Sequence, residues 1–235
     1  RVAYGQRING KRVDVLQSIF CERREAVAVA RRAVPVEALR ERAEGRRHRS
    51  LHNALRGPDG SHIIAEVKKS SPSAGLLRPD YRPADIAASY AAAGACGVSV
   101  LTEPLHFGGA LQDVEAVRAR VDVPILRKDF MCDPYQVAEA AAWGADVVLL
   151  ILAALDDDAC RRIYEEALGL GLEVLAETHT IDELERALTF EEAVIGVNSR
   201  DLKTLRTDLR VASELAAGIP PHRVAIAESG IRTRD

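Results

Sequence analysis

Ile63-Ile64-Ala65-Glu66-Val67-Lys68-Lys69-Ser70-Ser71-Pro72-Ser73 reads as a β-strand running into a polar turn. Side chains two apart in a strand share a face, so Ile64, Glu66 and Lys68 point one way and Ala65 and Val67 the other. The charged pair stands at the C-terminal end of that strand. The same placement recurs further on, in Leu126-Arg127-Lys128-Asp129-Phe130, in Leu175-Ala176-Glu177 and in Val197-Asn198-Ser199-Arg200. A central strand of an open, doubly wound sheet is covered on both faces and should be apolar throughout. Barrel enzymes, in contrast, collect polar groups at the C-terminal ends of several strands. The chain contains neither a GxGxxG dinucleotide loop nor a GxxxxGK[ST] phosphate loop. The pattern therefore predicts an α/β fold of the closed (β/α) barrel type.

Around that stretch, short β-rich runs are predicted at 62–67, 98–102, 124–127, 146–151, 173–177, 193–197 and 223–227. Helices are predicted near 83–93, 111–120, 134–142, 156–169, 181–189 and 208–217, with Gly94, Gly97, Gly144, Gly169 and Gly171 where helices should stop. Such alternation implies parallel strands with right-handed crossovers. Residues 1–60 read as an N-terminal extension and 61–235 as the barrel. Within the extension, residues 1–12 are a loose start. Leu16, Ile19, Phe20, Ala26, Val27 and Ala30 then recur at helical spacing until Pro35, and a charged helical stretch follows to about Arg49. His48 and His52, four apart, are expected on one solvated helix face, with no nearby carboxylate or cysteine to complete a metal site.

Composition narrows the function classes. The 235 residues fit one domain, 47% hydrophobic and 29% charged. A net charge of −3 gives no general reason to expect nucleic acid or an anionic membrane as partner. No apolar run approaches the roughly 20 residues of a membrane span, and a signal-peptide core is absent. Cys21, Cys96, Cys132 and Cys160 are scattered without metal spacing, so reduced thiols in a cytoplasmic protein are expected. Of 32 basic residues only Lys11, Lys68, Lys69, Lys128 and Lys203 are lysines, and three of these five fall at predicted strand ends. Burial can tune the proton affinity of lysine, whereas arginine stays charged.

Each strand end has a bland reading as a rim salt bridge. Several converging ends are harder to explain so, because buried charge is costly unless it is used. Lys128 beside Phe130 suggests a desolvated ammonium near a planar ligand. Glu177 offers an inward carboxylate, Asn198 a hydrogen-bonding amide, and Arg200 an anion clamp. Ser70-Ser71-Pro72-Ser73 supplies hydroxyls on a rigid turn, and Gly230 lets a backbone N–H approach an anion.

Together, Ile-Ala-Glu-Val-Lys (64–68), Ser-Val-Leu-Thr-Glu-Pro (99–104), Leu-Arg-Lys-Asp-Phe (126–130), Ile-Gly-Val-Asn-Ser-Arg-Asp-Leu (195–202) and Ala-Glu-Ser-Gly-Ile (227–231) resemble indole-3-glycerol phosphate synthase of tryptophan biosynthesis. The resemblance runs in order from about Val13 to the last residue, N-terminal helical extension included. It implies a (β/α)8 barrel and a carboxy-lyase acting on 1-(2-carboxyphenylamino)-1-deoxyribulose 5-phosphate, with no metal or organic cofactor. It further implies Lys128 as general acid, Glu177 as general base and Lys68 as an assisting acid. Glu66 and Asn198 would orient intermediates and Ser229 would complete the polar wall. Ser71 and Arg200 would meet anionic groups, Phe107 and Phe130 the aromatic ring, and Gly230 and Ile231 the phosphate. A monomer in the cytoplasm is implied, with fusion to or association with other tryptophan-pathway enzymes as a further expectation.

The sequence ends at Asp235, shortly after the seventh strand motif. The expectation is a barrel truncated after strand seven, lacking the eighth strand and its phosphate-binding turn, with two unpaired edges. Two other readings stay open here. One is another phosphate-binding barrel such as phosphoribosylanthranilate isomerase, which does not account for the paired lysines with Glu177. The other is a non-catalytic partner whose open edge pairs with another protein.

Overall fold

The structure, a computed structural model, describes residues 7–8, 11–12, 15–57, 62–201 and 206–231. Helix α1 (Val15–Ala33) turns Leu16, Ile19, Phe20, Arg23 and Val27 inward at helical spacing. Pro35 ends it, and α2 (Val36–Ala43) and α3 (Leu51–Leu55) follow. The charged helical stretch thus stops at Ala43, six residues short of the expected end.

Seven strands then form one parallel sheet: β1 (Ile64–Val67), β2 (Gly97–Leu101), β3 (Ile125–Lys128), β4 (Val147–Ile151), β5 (Glu173–Thr178), β6 (Val194–Asn198) and β7 (Ala225–Glu228). Each pairs only with its neighbours in sequence, from β1 at one edge to β7 at the other. A doubly wound sheet reverses its strand order at a switch point, and this one does not. Its curl is measured by Lys128 on β3, which reaches carboxylates on both edge strands, Glu66 at 3.3 Å and Glu228 at 3.1 Å. The sheet is therefore an incomplete (β/α)8 barrel. Among the described residues β1 and β7 do not pair with each other. Strands β2, β4 and β6 are buried along their whole length, whereas β7 alternates exposed and half-buried positions beside the gap.

The crossovers are α4 (Pro83–Ala92), α5 (Leu111–Arg118), α6 (Pro134–Trp143), α7 (Asp157–Gly169), α8 (Ile181–Leu188) and α9 (Arg210–Ala216). The starts of α6, α7 and α8 are capped by side chains: Asp133 accepts from Tyr135 N–H at 2.8 Å, Asp156 from Ala159 N–H at 2.8 Å and Thr180 from Glu183 N–H at 3.2 Å. Gly144 ends α6 with φ of 99°, a left-handed turn that a side chain disfavours. Gly97, expected at a helix end, instead opens β2. A Cβ there would lie 3.3 Å from Leu51 Cδ1, so its smallness lets α3 close on the barrel.

That closure is polar at its heart. Glu173, opening β5, accepts from the N–H groups of Leu51 and His52 at 2.8 and 3.0 Å, neutralising the start of α3. Asp146, just before β4, is buried and accepts from Ile125 N–H, Arg49 N–H and the Arg118 guanidinium at 2.8, 2.9 and 2.7 Å. The reading of His48 and His52 is corrected here. They do not share a helix, because His48 precedes α3. Both are half-buried, and each has a carboxylate nearby: Asp146 at 3.9 Å from His48 and Glu173 at 3.5 Å from His52. Sequence spacing hid this, because those acids lie about a hundred residues further along the chain. Among the described residues no group of three or more His, Cys, Asp or Glu is placed to hold a metal ion, and no helix is long and apolar enough to cross a membrane.

Removing the Asp146 carboxylate leaves Arg118 buried against an uncompensated site. Asp146→Ala is expected to lower unfolding free energy by about 3 kcal/mol, read from urea denaturation. A loss below about 1 kcal/mol would show that this junction does not hold the N-terminal helices to the barrel.

Candidate functional site

The inward residues at the C-terminal ends of the strands meet in one cluster. Lys128 Nζ lies 3.3 Å from Glu66 Oε2 and 3.1 Å from Glu228 Oε2. The other oxygen of Glu66 pairs with Lys68. Glu177 is almost wholly buried and hydrogen-bonds with Asn198. Asn198 in turn accepts from Arg200 N–H at 3.0 Å through Oδ1, which leaves its amide N–H groups for Glu177. Space for this arrangement comes from Gly196, where a Cβ would stand 2.5 Å from Glu228 Oε1 and 3.2 Å from Leu175 Cδ1.

Burial and charge act against each other here. Burial alone would lower the proton affinity of Lys128, but Glu228, Glu66 and Glu177 outweigh it and its pKa is raised. Burial would raise Glu66, yet Lys128 and Lys68 hold its pKa below the ordinary value. Glu177 goes the other way. Burial first and Glu228 second push it up to about 7, against the pull of Lys128, His179 and Asn198. One group is thus held protonated and another is balanced near neutrality, which is the division general acid–base chemistry needs.

An aromatic wall stands beside the cluster. The Phe107 and Phe130 rings lie 6.0 Å apart, and Phe20 of α1 meets Phe130 edge-on at 5.7 Å. The loop carrying Phe107 is folded around Glu103, whose carboxylate accepts from the N–H groups of Leu105, His106 and Phe107 at 2.8, 2.6 and 3.0 Å. His106 Nε2 lies 2.6 Å from Glu22 of α1. Under Phe130, buried Asp129 accepts from Arg23 of α1 and Arg127 at 3.0 Å each and from Thr102 Oγ1 at 2.8 Å. Arg127, also buried, donates to the Gln136 carbonyl at 2.6 Å and pairs with Glu139 at 3.1 Å.

Glu66, Lys68, Lys128, Glu177 and Asn198 are brought together as read from the sequence, and Phe107 and Phe130 are paired. Ser71 lies apart in a short antiparallel pair, Ser70–Ser71 with Gly75–Leu76, where its Oγ accepts from Ala74 N–H at 3.1 Å. Arg200 leaves β6 through an isolated bridge to Thr207, and its Nε is buried without a partner among the described residues. Ser229 and Gly230 take consecutive left-handed conformations with φ of 67° and 80°, and Ile231 beyond them is exposed. A left-handed serine is strained, and this turn swings the chain away from β7. Sequence reasoning gave no role to Glu228, His179, Asp129, Arg127 or Arg23. A signal existed for two of them. Arg127 of β3 and Asp129, one residue beyond its end, alternate with the inward Lys128, at positions where helix-facing residues should be apolar.

The family described as Indole-3-glycerol phosphate synthase matches residues 16–235. An indole-3-glycerol phosphate synthase from Rhodospirillum rubrum is 50% identical over 226 residues, covering 94% of this chain and 86% of its own length. One from Burkholderia ambifaria is 45% identical over 224 residues, with the same two coverages of 94% and 86%. One from Saccharopolyspora erythraea is 47% identical over 221 residues, or 94% of this chain and 82% of its own.

Neutralising Asp129 leaves two buried guanidinium groups facing each other. Asp129→Asn is expected to destabilise the protein by about 3 kcal/mol and to speed amide exchange in α1 more than in β4. Equal acceleration in both elements would show that Asp129 does not hold α1 specifically.

Proposed function

Since the chain belongs to the indole-3-glycerol phosphate synthase family, we propose that it performs that reaction at the cluster formed by Lys128, Glu66, Glu228, Lys68 and Glu177. The substrate is 1-(2-carboxyphenylamino)-1-deoxyribulose 5-phosphate, and the products are indole-3-glycerol phosphate, carbon dioxide and water. The observation that carries the placement is Lys128 Nζ suspended between carboxylates of the first and seventh strands. Such a lysine keeps its proton until a better acceptor forms.

As the ring carbon bearing the carboxylate attacks the ketone carbon, the ketone oxygen gains negative charge. Lys128 donates its proton there. Loss of carbon dioxide returns the C–C bonding electrons to the ring. Glu177 then accepts a proton from the CH2 carbon between the nitrogen and the former ketone carbon, and those C–H electrons form the new ring double bond as the hydroxyl leaves as water with a proton from Lys68. Glu66 and Asn198 set the directions of Lys128, Lys68 and Glu177, as their bonds in the cluster support. Phe107 and Phe130 flank the aromatic ring. Ser71 and Arg200 take the anionic groups, and Ser229, Gly230 and Ile231 form the wall on the phosphate side. The same reading takes the enzyme to be a monomer of the cytoplasm that works without a metal or organic cofactor.

The assay follows the fluorescence of the indole product. Lys128→Ala should reduce kcat/KM by at least about a hundredfold, and near-native turnover would remove Lys128 from the acid role. In the native protein kcat/KM should rise with pH through about 7 as Glu177 loses its proton. Because the pKa of Lys128 is raised, that lysine should impose no alkaline fall below its ordinary value of 10.5. An acid limb that stays at the same pH in Glu177→Gln would show that another group sets it.

A further inference from the structure

His179 follows β5 by one residue and is mostly buried, yet the reaction as drawn does not use it. Its Nδ1 lies 3.1 Å from Glu183 Oε2 on α8, and its backbone N–H donates to the same oxygen at 2.7 Å. Thr180 caps α8 by accepting from Glu183 N–H at 3.2 Å, so Glu183 is fixed at both ends. This geometry sets the imidazole with Nδ1–H donating outward to a carboxylate. Nε2 then points inward, buried and without a hydrogen-bond partner among the described residues, 3.4 Å from Glu177 Oε1.

Two lone pairs aimed at each other across 3.4 Å in a buried site repel, and a proton on either atom removes that cost. The proton sits either on Glu177 or on Nε2. The charges around the pair favour Nε2. Among the described residues, the ammonium groups that pair with Glu66 and Glu228 are those of Lys68 and Lys128, and Glu177 is a third carboxylate in the same cluster. Asn198 adds a dipole but no charge, and Glu183 is a further carboxylate on the outer side. A protonated His179 supplies the missing positive charge.

We propose, resting on the reading of Glu177 as the general base, that His179 is its positioning residue: Glu183 fixes the imidazole so that a protonated Nε2 faces Glu177 and holds that carboxylate ionised. Burial would lower the proton affinity of His179, but Glu183, Glu177 and Glu228 outweigh it and raise its pKa, in keeping with this arrangement. Glu177 is in turn pulled down by His179 from where burial and Glu228 would otherwise leave it.

Carboxyl-carbon NMR titration of Glu177, in native protein and in His179→Asn without substrate, tests the coupling directly. The Glu177 midpoint, expected near 7 in native protein, should rise by about one unit or more in the variant. The acid limb of kcat should move up with it, and kcat at pH 7 should fall about fivefold or more with KM nearly unchanged. An unmoved Glu177 midpoint overturns the proposal. A midpoint that moves while the acid limb stays put upholds the coupling and removes Glu177 from the role of base. Ring-nitrogen NMR of native His179 needs no variant to fold: a neutral ring with unprotonated Nε2 at the pH of maximal activity also overturns the proposal.

Discussion

Lys128 is the point on which the barrel and its chemistry both turn. Its ammonium group sits 3.3 Å from Glu66 on β1 and 3.1 Å from Glu228 on β7, the two edges of the sheet. A flat sheet could not bring strands one, three and seven to one atom, so this ion pair records the curl of the wall. A desolvated ammonium is costly alone, and two carboxylates offset that cost while keeping the proton in place. The site therefore depends on the curl of the sheet, and part of what fixes the two edges relative to each other lies in the site itself.

The N-terminal helices serve the same end from outside. Helix α1 touches the barrel mouth through three kinds of contact: Phe20 against Phe130, Glu22 against His106, and Arg23 against Asp129. Phe130 and Phe107 form the aromatic wall beside Lys128, so α1 sets the position of groups it never shares a strand with. Arg127 of β3 and Asp129, one residue beyond its end, are buried charges facing outward, tolerated because each has several partners. At the opposite end of the barrel, Asp146 and Glu173 tie down the segment around α3 in the same manner. Polar contacts fasten the extension at both ends of the barrel wall, and apolar packing fills the space between.

Much of this was readable before any coordinates. Alternation of short β-rich runs with amphipathic segments placed all seven strands to within two residues at each end, because period-two and period-3.6 patterns survive in single segments. The polar pairs at strand ends pointed to a barrel, and Glu66, Lys68, Lys128, Glu177 and Asn198 do meet. Other features were misread or missed for a common reason. His48 and His52 seemed free of carboxylates, Gly97 looked like a helix stop, and Glu228 and His179 received no role. In each case the deciding neighbour belongs to a different element.

The sequence by itself determined which residues share a face and which strand ends carry charge, since backbone geometry imposes those relations over a few residues. It also determined the family, through motifs that keep their order along the chain. Only the tertiary structure decided the pairings: Lys128 with Glu228 across 100 residues, Arg23 with Asp129 across 106, and a buried imidazole aimed at Glu177. Burial and charge set the proton affinities of these groups, and both quantities exist only once the sheet has curled and distant strands stand side by side.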